Sequence, residues 1–461
     1  MLSVMTALLI ASAGRVPVAP DPELMNGASR EDHAGWVIAH LKGTPTQIGY
    51  QHGYLLGPEI NDVLAGIKLS ISHAEKGDAK SNYEFDKVTA HAVCWGGVPQ
   101  ELREEIAGIA RGVRDRGYHV DTDDILLINA GADLGYYTDE LLNRRKKGAP
   151  VSHAGDHCSA FVATGSATKD GKIVMGHNCW TDYLNGERAN SILDITPLNG
   201  NRILMDSTPG IVDSGDDFGI NSAGILLTET TISEFHGFDE KGIPEFVRMR
   251  EAMQYANSIE DVARIFRTQN NGAYANMWLI GDVKTNEIAK LELGLKYTPL
   301  TKSKDGVFYS ANYPEDPKLS AEECATDTKL GENPCADRKK RWEVLVNETK
   351  GKIDAKVGKA FLSDHFDQVH AKSGPSLSCL CGHGENDARP NYGGGDNGAT
   401  SGKVVTSDMA NHLEFWARMG HPCGIPFVAA DYLNSHKDDA WQKPLLRDMP
   451  SVPWIVVKRK N

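Results

Sequence analysis

The sequence lacks the short motifs of several large enzyme classes. It has no phosphate loop closed by Gly-Lys-Ser/Thr, no dinucleotide-binding glycine fingerprint opening a helix, no His-Glu-x-x-His and no Gly-x-Ser-x-Gly. No cofactor is therefore expected. Positive charge is in deficit, with 49 Lys and Arg against 62 Asp and Glu and a net charge of −13. That balance disfavours nucleic acid and anionic membrane surfaces, which want a basic face. No run of about 18 apolar residues occurs, so no transmembrane helix is expected. No internal repeat is visible.

The apolar start, Met1 to Gly14, reads as the core of a secretory signal although the usual basic residues are missing. Val16-Pro-Val-Ala-Pro20 follows with small residues near a cleavage point. Residues 1–19 are thus expected to be a signal peptide, and the protein secreted, periplasmic or lumenal. The 461 residues suffice for one large layered domain or for two or three smaller ones. Eight cysteines allow disulfides in an exported protein. Cys324 and Cys335, flanking a polar loop, are the expected pair.

Residues 20–35 read as an irregular leader and Gly35–Gly43 as a first strand. Thr44 caps a helix with Pro45 in its first position; His52 within it reads as a packing histidine. Leu102, Ile106, Ile109 and Val113 form one helical stripe. A further helix runs from Thr122 to Tyr137. After residue 158 the texture changes to short strands with turns, at 191–196, 202–206, 219–232, 274–282 and 287–293. Helices are read at 244–257 and 258–268, with Ser258 as cap, and at 337–350. A flexible glycine-rich loop, 392–402, precedes a late strand at 403–408. Strands between runs of helices imply an α+β fold with sheets sandwiched by helices.

The chain is organised around Cys158. A basic Gly/Pro-containing run, Arg144 to His153, precedes it, and a strand-like run, Ser159 to Thr164, begins directly after it. A cysteine at a strand start behind a cuttable loop suits a self-processing N-terminal nucleophile. Cleavage between His157 and Cys158 would give the residue its own α-amine as base. A buried structural cysteine would look the same locally.

Other polar residues lie at strand ends. His177, Asn178, Trp180 and Asp182 follow the next strand, which hairpin pairing returns to Cys158. Asn276 stands in an otherwise apolar strand, where its amide would suit an oxyanion or equally a neighbouring backbone group. Glu229-Thr-Thr231 ends another apolar run. Arg338 opens a charged helix, where a solvated face is the default reading and binding of a carboxylate the alternative. Cys379-Leu-Cys-Gly-His-Gly384 has ligand-type residues, but a one-residue cysteine spacing is not a common zinc pattern. No metal site is expected there.

Asp156-His-Cys-Ser-Ala-Phe161 and Gly176-His-Asn-Cys-Trp-Thr-Asp-Tyr183 together resemble the phospholipase B-like proteins. They also resemble the related acyl-coenzyme A:6-aminopenicillanic acid acyltransferases (peptidase C45), which are cysteine Ntn-hydrolases. Pro209–Ile220, Glu229–Thr231, Asn270–Trp278, Lys403–Ser407 and Pro422–Phe427 continue the resemblance in order, over roughly residues 35–430. The resemblance implies a four-layer αββα sandwich. Residues 20–157 would form a mainly helical segment, released by self-cleavage but still packed on a 158–461 core. It implies Cys158 as nucleophile, Asn276 as oxyanion donor, and His177 and Trp180 in the pocket. Thr230 or Thr231 would lie near the site, and Arg338 would match an acyltransferase arginine. Asp182 comes slightly later than the acyltransferase aspartate, which puts the chain nearer the phospholipase B-like branch.

The expected substrate is a small acyl-amide or acyl-ester, with acyl transfer as a variant. Phospholipid ester hydrolysis and a non-catalytic binding protein on the same fold are the alternatives. A metal-dependent hydrolase using residues 379–384 is a further one.

Overall fold

The computed structural model describes residues 16–74, 77–145, 158–215, 218–325, 329–387 and 397–460. The expected signal core, His157, nearly all of the loop before it and Tyr392–Asp396 of the glycine-rich loop lie outside the described residues. In chain order the strands are β1 (Ser29–His33), β2 (Trp36–Gly43), β3 (Ser159–Thr164), β4 (Val174–Asp182), β5 (Ser191–Pro197) and β6 (Ile203–Ser207). They continue with β7 (Phe218–Asn221), β8 (Ile225–Thr231), β9 (Asn276–Asp282), β10 (Glu287–Leu293), β11 (Leu300–Ser303) and β12 (Gly306–Ser310). A short ladder of β13 (Phe366–Asp367) and β14 (Lys372–Ser373) precedes β15 (Asn397–Thr406), β16 (Glu414–Met419) and β17 (Ile455–Lys458).

Nine strands form one sheet in the order β1-β2-β5-β6-β7-β8-β9-β10-β11, and six form a second, β12-β3-β4-β15-β16-β17. The pair β2 and β5 is parallel, with Val37 opposite Ser191. The strand alternation explains the stacking. Ala160 and Val162 of β3 pack with Met175, Val405 and Phe415 against Leu204, Leu226 and Met277 of the other sheet. Their neighbours Phe161 and Ala163 face outward, onto Trp342 and Phe361 of helices Pro334–Glu348 and Ala355–Leu362. Leu193, Leu227 and Trp278 on the far face of the larger sheet meet helices Gln100–Asp115, Glu245–Tyr255 and Ile259–Arg267. The result is helix on sheet on sheet on helix, an α+β fold.

Thr44 and Gln47 close a capping box on helix Pro45–Leu55. That helix crosses Gln100–Asp115 at backbone contact. A Cβ at Gly49 or Gly53 would lie 2.0 Å from the carbonyl oxygen of Glu105 or Ile109. The expected stripe Leu102, Ile106, Ile109 and Val113 is buried. Among the described residues no helix is long and apolar enough to cross a membrane.

Four local expectations need correction. The leader contains β1, because Ser29–His33 pairs with β2. The helix from Thr122 is two helices, Thr122–Asn129 and Gly131–Arg145, and its cap is Asp121, whose carboxylate accepts from Asp124 N–H. The late strand starts at Asn397, not at 403, since β4 extends to Asp182 and offers it a partner. Cys324 and Cys335 are not joined to each other by a disulfide. Cys335 sits in the first turn of helix Pro334–Glu348 with its sulfur on Arg338 and Ser233, while the Cys324 backbone bridges to Phe235.

Candidate active site

Cys158 is buried directly before β3. The β3–β4 register sets Ser159 opposite Asn178 and Ala160 opposite His177. The Cys158 sulfur therefore meets the backbone just beyond, accepting from Trp180 N–H at 3.5 Å. Asn178 turns outward and donates to the carbonyls of Leu362 and Leu380, at 2.8 and 2.9 Å. His177 faces the other way, with Ala160, into the space between the sheets. Its ring is wholly buried, and neither nitrogen has a hydrogen-bond partner among the described residues. Burial, and then the Lys403 charge, hold its pKa well below the ordinary histidine value. The Cys158 sulfur, a His177 nitrogen and a Glu229 carboxylate oxygen lie within 4.8 Å of one another.

Arg338 reaches Cys158 from helix Pro334–Glu348, whose first turn is capped by Asn333. Its Nη1 donates to the Cys158 carbonyl at 2.5 Å and to Ser159 Oγ at 3.0 Å; its Nη2 donates to Asn312 Oδ1 at 3.1 Å. The guanidinium also lies 4.4 Å from the Trp180 ring centre. Asn312 in turn donates to the Thr231 carbonyl at 2.8 Å. Thr230 shares a hydroxyl hydrogen bond with Ser310, and Thr231 donates to Tyr274 OH at 2.9 Å. Asn312 and Tyr274 have φ of 67° and 26°. Such conformations are strained for side-chain-bearing residues and persist where surrounding contacts impose them. Asn276 opens β9 opposite Thr231. It is buried, and among the described residues neither its amide oxygen nor its nitrogen has a partner.

A cavity of about 340 Å³ opens on this assembly, lined among others by Cys158, Trp180, Asp182, Asp213, Glu245 and Tyr274. Of the expected site residues, Cys158, Trp180 and Asp182 reach its wall. Arg338, His177, Thr230, Thr231 and Asn276 lie outside that lining. Asp182 also has a structural role, since its carboxylate accepts from Asn185 N–H at 2.8 Å and caps helix Tyr183–Gly186. Burial raises its pKa. His52 accepts from Gly210 N–H at 3.0 Å, as a packing histidine should.

Several residues were not legible in the sequence. Asn312 gives no local signal. Lys403 and Asp206 form a buried ion pair, one from each sheet. Asp133, Asp213 and Glu245 are buried carboxyls at or near the cavity. Burial raises the pKa of Asp133 to about 6 and pushes Asp213 and Glu245 upward as well. A charged residue inside an apolar strand, as at Lys403, was the one available hint.

Residues 95–311 match the family model described as Phospholipase B. The chain is also 30% identical over 277 residues to an uncharacterized protein of Archaeoglobus fulgidus, covering 55% of this chain and 42% of the relative. It is similar to phospholipase B-like 1 of Homo sapiens, at 25% identity over 51% of this chain and 47% of that protein. The phospholipase B of Crotalus adamanteus is 29% identical over 35% of this chain and 33% of its own. The chain thus spans less than half the length of these curated relatives. Among solved structures, the penicillin V acylase of Agrobacterium tumefaciens aligns with a TM-score of 0.35 at 13% identity, over 57% of this chain and 83% of its own. A mutant of the conjugated bile acid hydrolase of Clostridium perfringens aligns at 0.33 and 11% identity, over 57% and 89%.

Proposed function

We propose that the chain is a cysteine hydrolase of the N-terminal nucleophile type, cut between His157 and Cys158, which cleaves a linear amide through a thioester on Cys158. One observation carries this reading. Cys158 stands immediately before a buried strand on the wall of the cavity, with its carbonyl held by Arg338. A side chain in that position is fixed by the strand that follows it.

In the proposed reaction the α-amine freed by the cut takes the thiol proton, and the thiolate attacks the amide carbonyl. The tetrahedral oxyanion is stabilised by N–H donors; Asn276, a buried amide without a partner among the described residues, is the side chain assigned to it. The amine leaves with the proton. Water then adds to the thioester, releasing the carboxylic acid and restoring the thiol. Transfer to a second amine differs only in the acceptor. His177 shapes the site as a neutral ring, Trp180 and Asp182 hold its walls, and Thr230 and Thr231 brace Ser310 and Asn312 behind them. Residues 20–157 remain packed on the 158–461 core after cleavage, and residues 1–19 serve export.

The similarity to phospholipase B over residues 95–311 favours a second reading, hydrolysis of a lipid acyl ester by the same cysteine. The cavity volume, at the low end for small-molecule sites, favours a small acyl-amide. Intact-mass analysis tests the first step: the purified protein should give two fragments divided before Cys158, and Cys158→Ala should give one chain. The processed protein is then offered panels of N-acyl amino acids, N-acyl amines and phospholipids. A protein that stays whole, leaves Cys158 unreactive to iodoacetamide and turns over none of the panels is a binding protein instead.

A further inference from the structure

A second cluster of reactive side chains, none of them in the group around Cys158, lies about the loop whose Gly382 packs on Trp180. His365, Cys381, His383 and Cys423 each present one ligand atom, and these four atoms lie within 4.8 Å of one another. They come from three segments: the turn after helix Ala355–Leu362, the loop 379–385 and the loop 421–424. Cys379 is not one of the four, and two partners come from distant parts of the chain.

The details are those of a metal site. His383 Nε2 is 3.5 Å from Cys423 Sγ. In a tetrahedral zinc site, bond lengths of about 2.3 Å to sulfur and 2.0 Å to nitrogen put S and N about 3.5 Å apart. The other ring nitrogen, His383 Nδ1, is 2.8 Å from Glu385 Oε1, the carboxylate–histidine arrangement that orients metal-bound imidazoles. Tyr183 OH donates to the same carboxylate. His365 Nε2 is buried with no hydrogen-bond partner among the described residues. Cys381 and His383 are wholly buried. Two thiolates and two neutral imidazoles around a divalent ion form a neutral unit, suited to such a place.

We propose that His365, Cys381, His383 and Cys423 bind one zinc ion as a closed structural site. All four positions of the ion are filled by protein, so it has no place for substrate. The ion fixes loop 379–385. Asn178 holds that loop through the Leu380 carbonyl, and Gly382 lies flat under the Trp180 ring, where a Cβ would come within 2.0 Å of the indole. The zinc thereby supports the strand that faces Cys158 without joining the chemistry.

The test uses the full-length protein purified from zinc-supplemented cells, without chelator. Close to one zinc per chain is expected by elemental analysis. Exchange for cobalt should give thiolate-to-cobalt charge-transfer absorption and the visible bands of a tetrahedral ion. Cys381→Ser and Cys423→Ser should lose both, and Cys324→Ser should keep them. Because the cysteine variants could misfold, His365→Ala is included: it should keep its circular dichroism and bind zinc at least ten-fold more weakly. Absence of zinc together with absence of cobalt absorption overturns the proposal. So does a Cys381–Cys423 disulfide in the non-reduced peptide map, or full metal content in both serine variants.

Discussion

Lys403 and Asp206 face each other from different sheets, and neither side chain has any exposed surface. Lys403 also stands opposite His177 on β4 and donates to Ser401 Oγ at 3.0 Å, while Ser214 donates to Asp206 at 2.7 Å. Removing one member leaves the other charged and dry. Lys403→Met is expected to cost about 3–5 kcal/mol in urea unfolding. Adding Asp206→Leu should restore part of that loss, since the unpaired carboxylate goes with it. A single variant within about 1 kcal/mol of the parent would show that the pair has no such role.

His177 is already neutral where free histidine titrates, near pH 6.5. It therefore should not set the acid limb of the pH–rate profile. With an α-amine as base, activity should rise toward about pH 8. His177→Asn is expected to lower kcat by about 10–100-fold with the midpoint unmoved. A midpoint that moves or vanishes would make the imidazole the base.

Arg338 holds two carbonyl-type oxygens with one planar fork, at Cys158 and at Asn312. A lysine keeps the charge but cannot reach both in the same geometry. Arg338→Lys should reduce kcat by about 100-fold through displacement of the nucleophile, with KM and the near-ultraviolet circular dichroism little changed. A KM effect without a kcat effect would assign the arginine to substrate binding.

Gly382 combines a φ of +50° with contact against Trp180. Gly382→Ala must displace the indole and should cost about 2 kcal/mol. The shift should register in tryptophan fluorescence as well as in Tm; an unchanged spectrum would mean that the loop, not the ring, gives way.

Asp133 is wholly buried, and burial raises its pKa from 3.8 to about 6. The folded state thus keeps its proton when the unfolded chain has lost it. Its stabilising contribution is complete below about pH 4 and is lost as pH rises to about 6, amounting to about 3 kcal/mol. Asp133→Asn keeps the acceptor for Asn271 and Glu245 N–H but cannot ionise. The stability difference, variant minus parent, should increase between pH 4 and 6 and level off above. A flat difference curve would show that Asp133 is ionised throughout.

What the sequence revealed followed local physics. Thr44 and Ser258 announced their helices because cap and partner are three residues apart. The stripe from Leu102 to Val113 announced a buried face. Cys158, His177 and Trp180 were found together because a hairpin joins them. The rest depends on distant contacts. Nothing near Asn312 shows that Arg338 will meet it, and nothing near Cys423 shows that His365 and Cys381 converge on it. The end of the helix at Asn129 was missed although Gly131 follows the terminating Ala130, because the next helix starts at that glycine and the helical pattern runs on through it.

The wiring around Cys158 also imposes an order in time. Arg338 is synthesised 180 residues after the cysteine whose carbonyl it holds, and β2 waits 154 residues for β5, its parallel partner. Neither arrangement exists on the emerging chain until those later segments have left the ribosome. A cleavage chemistry that depends on them cannot fire early. It would act as a record that assembly has finished, and the length of the chain would be its clock.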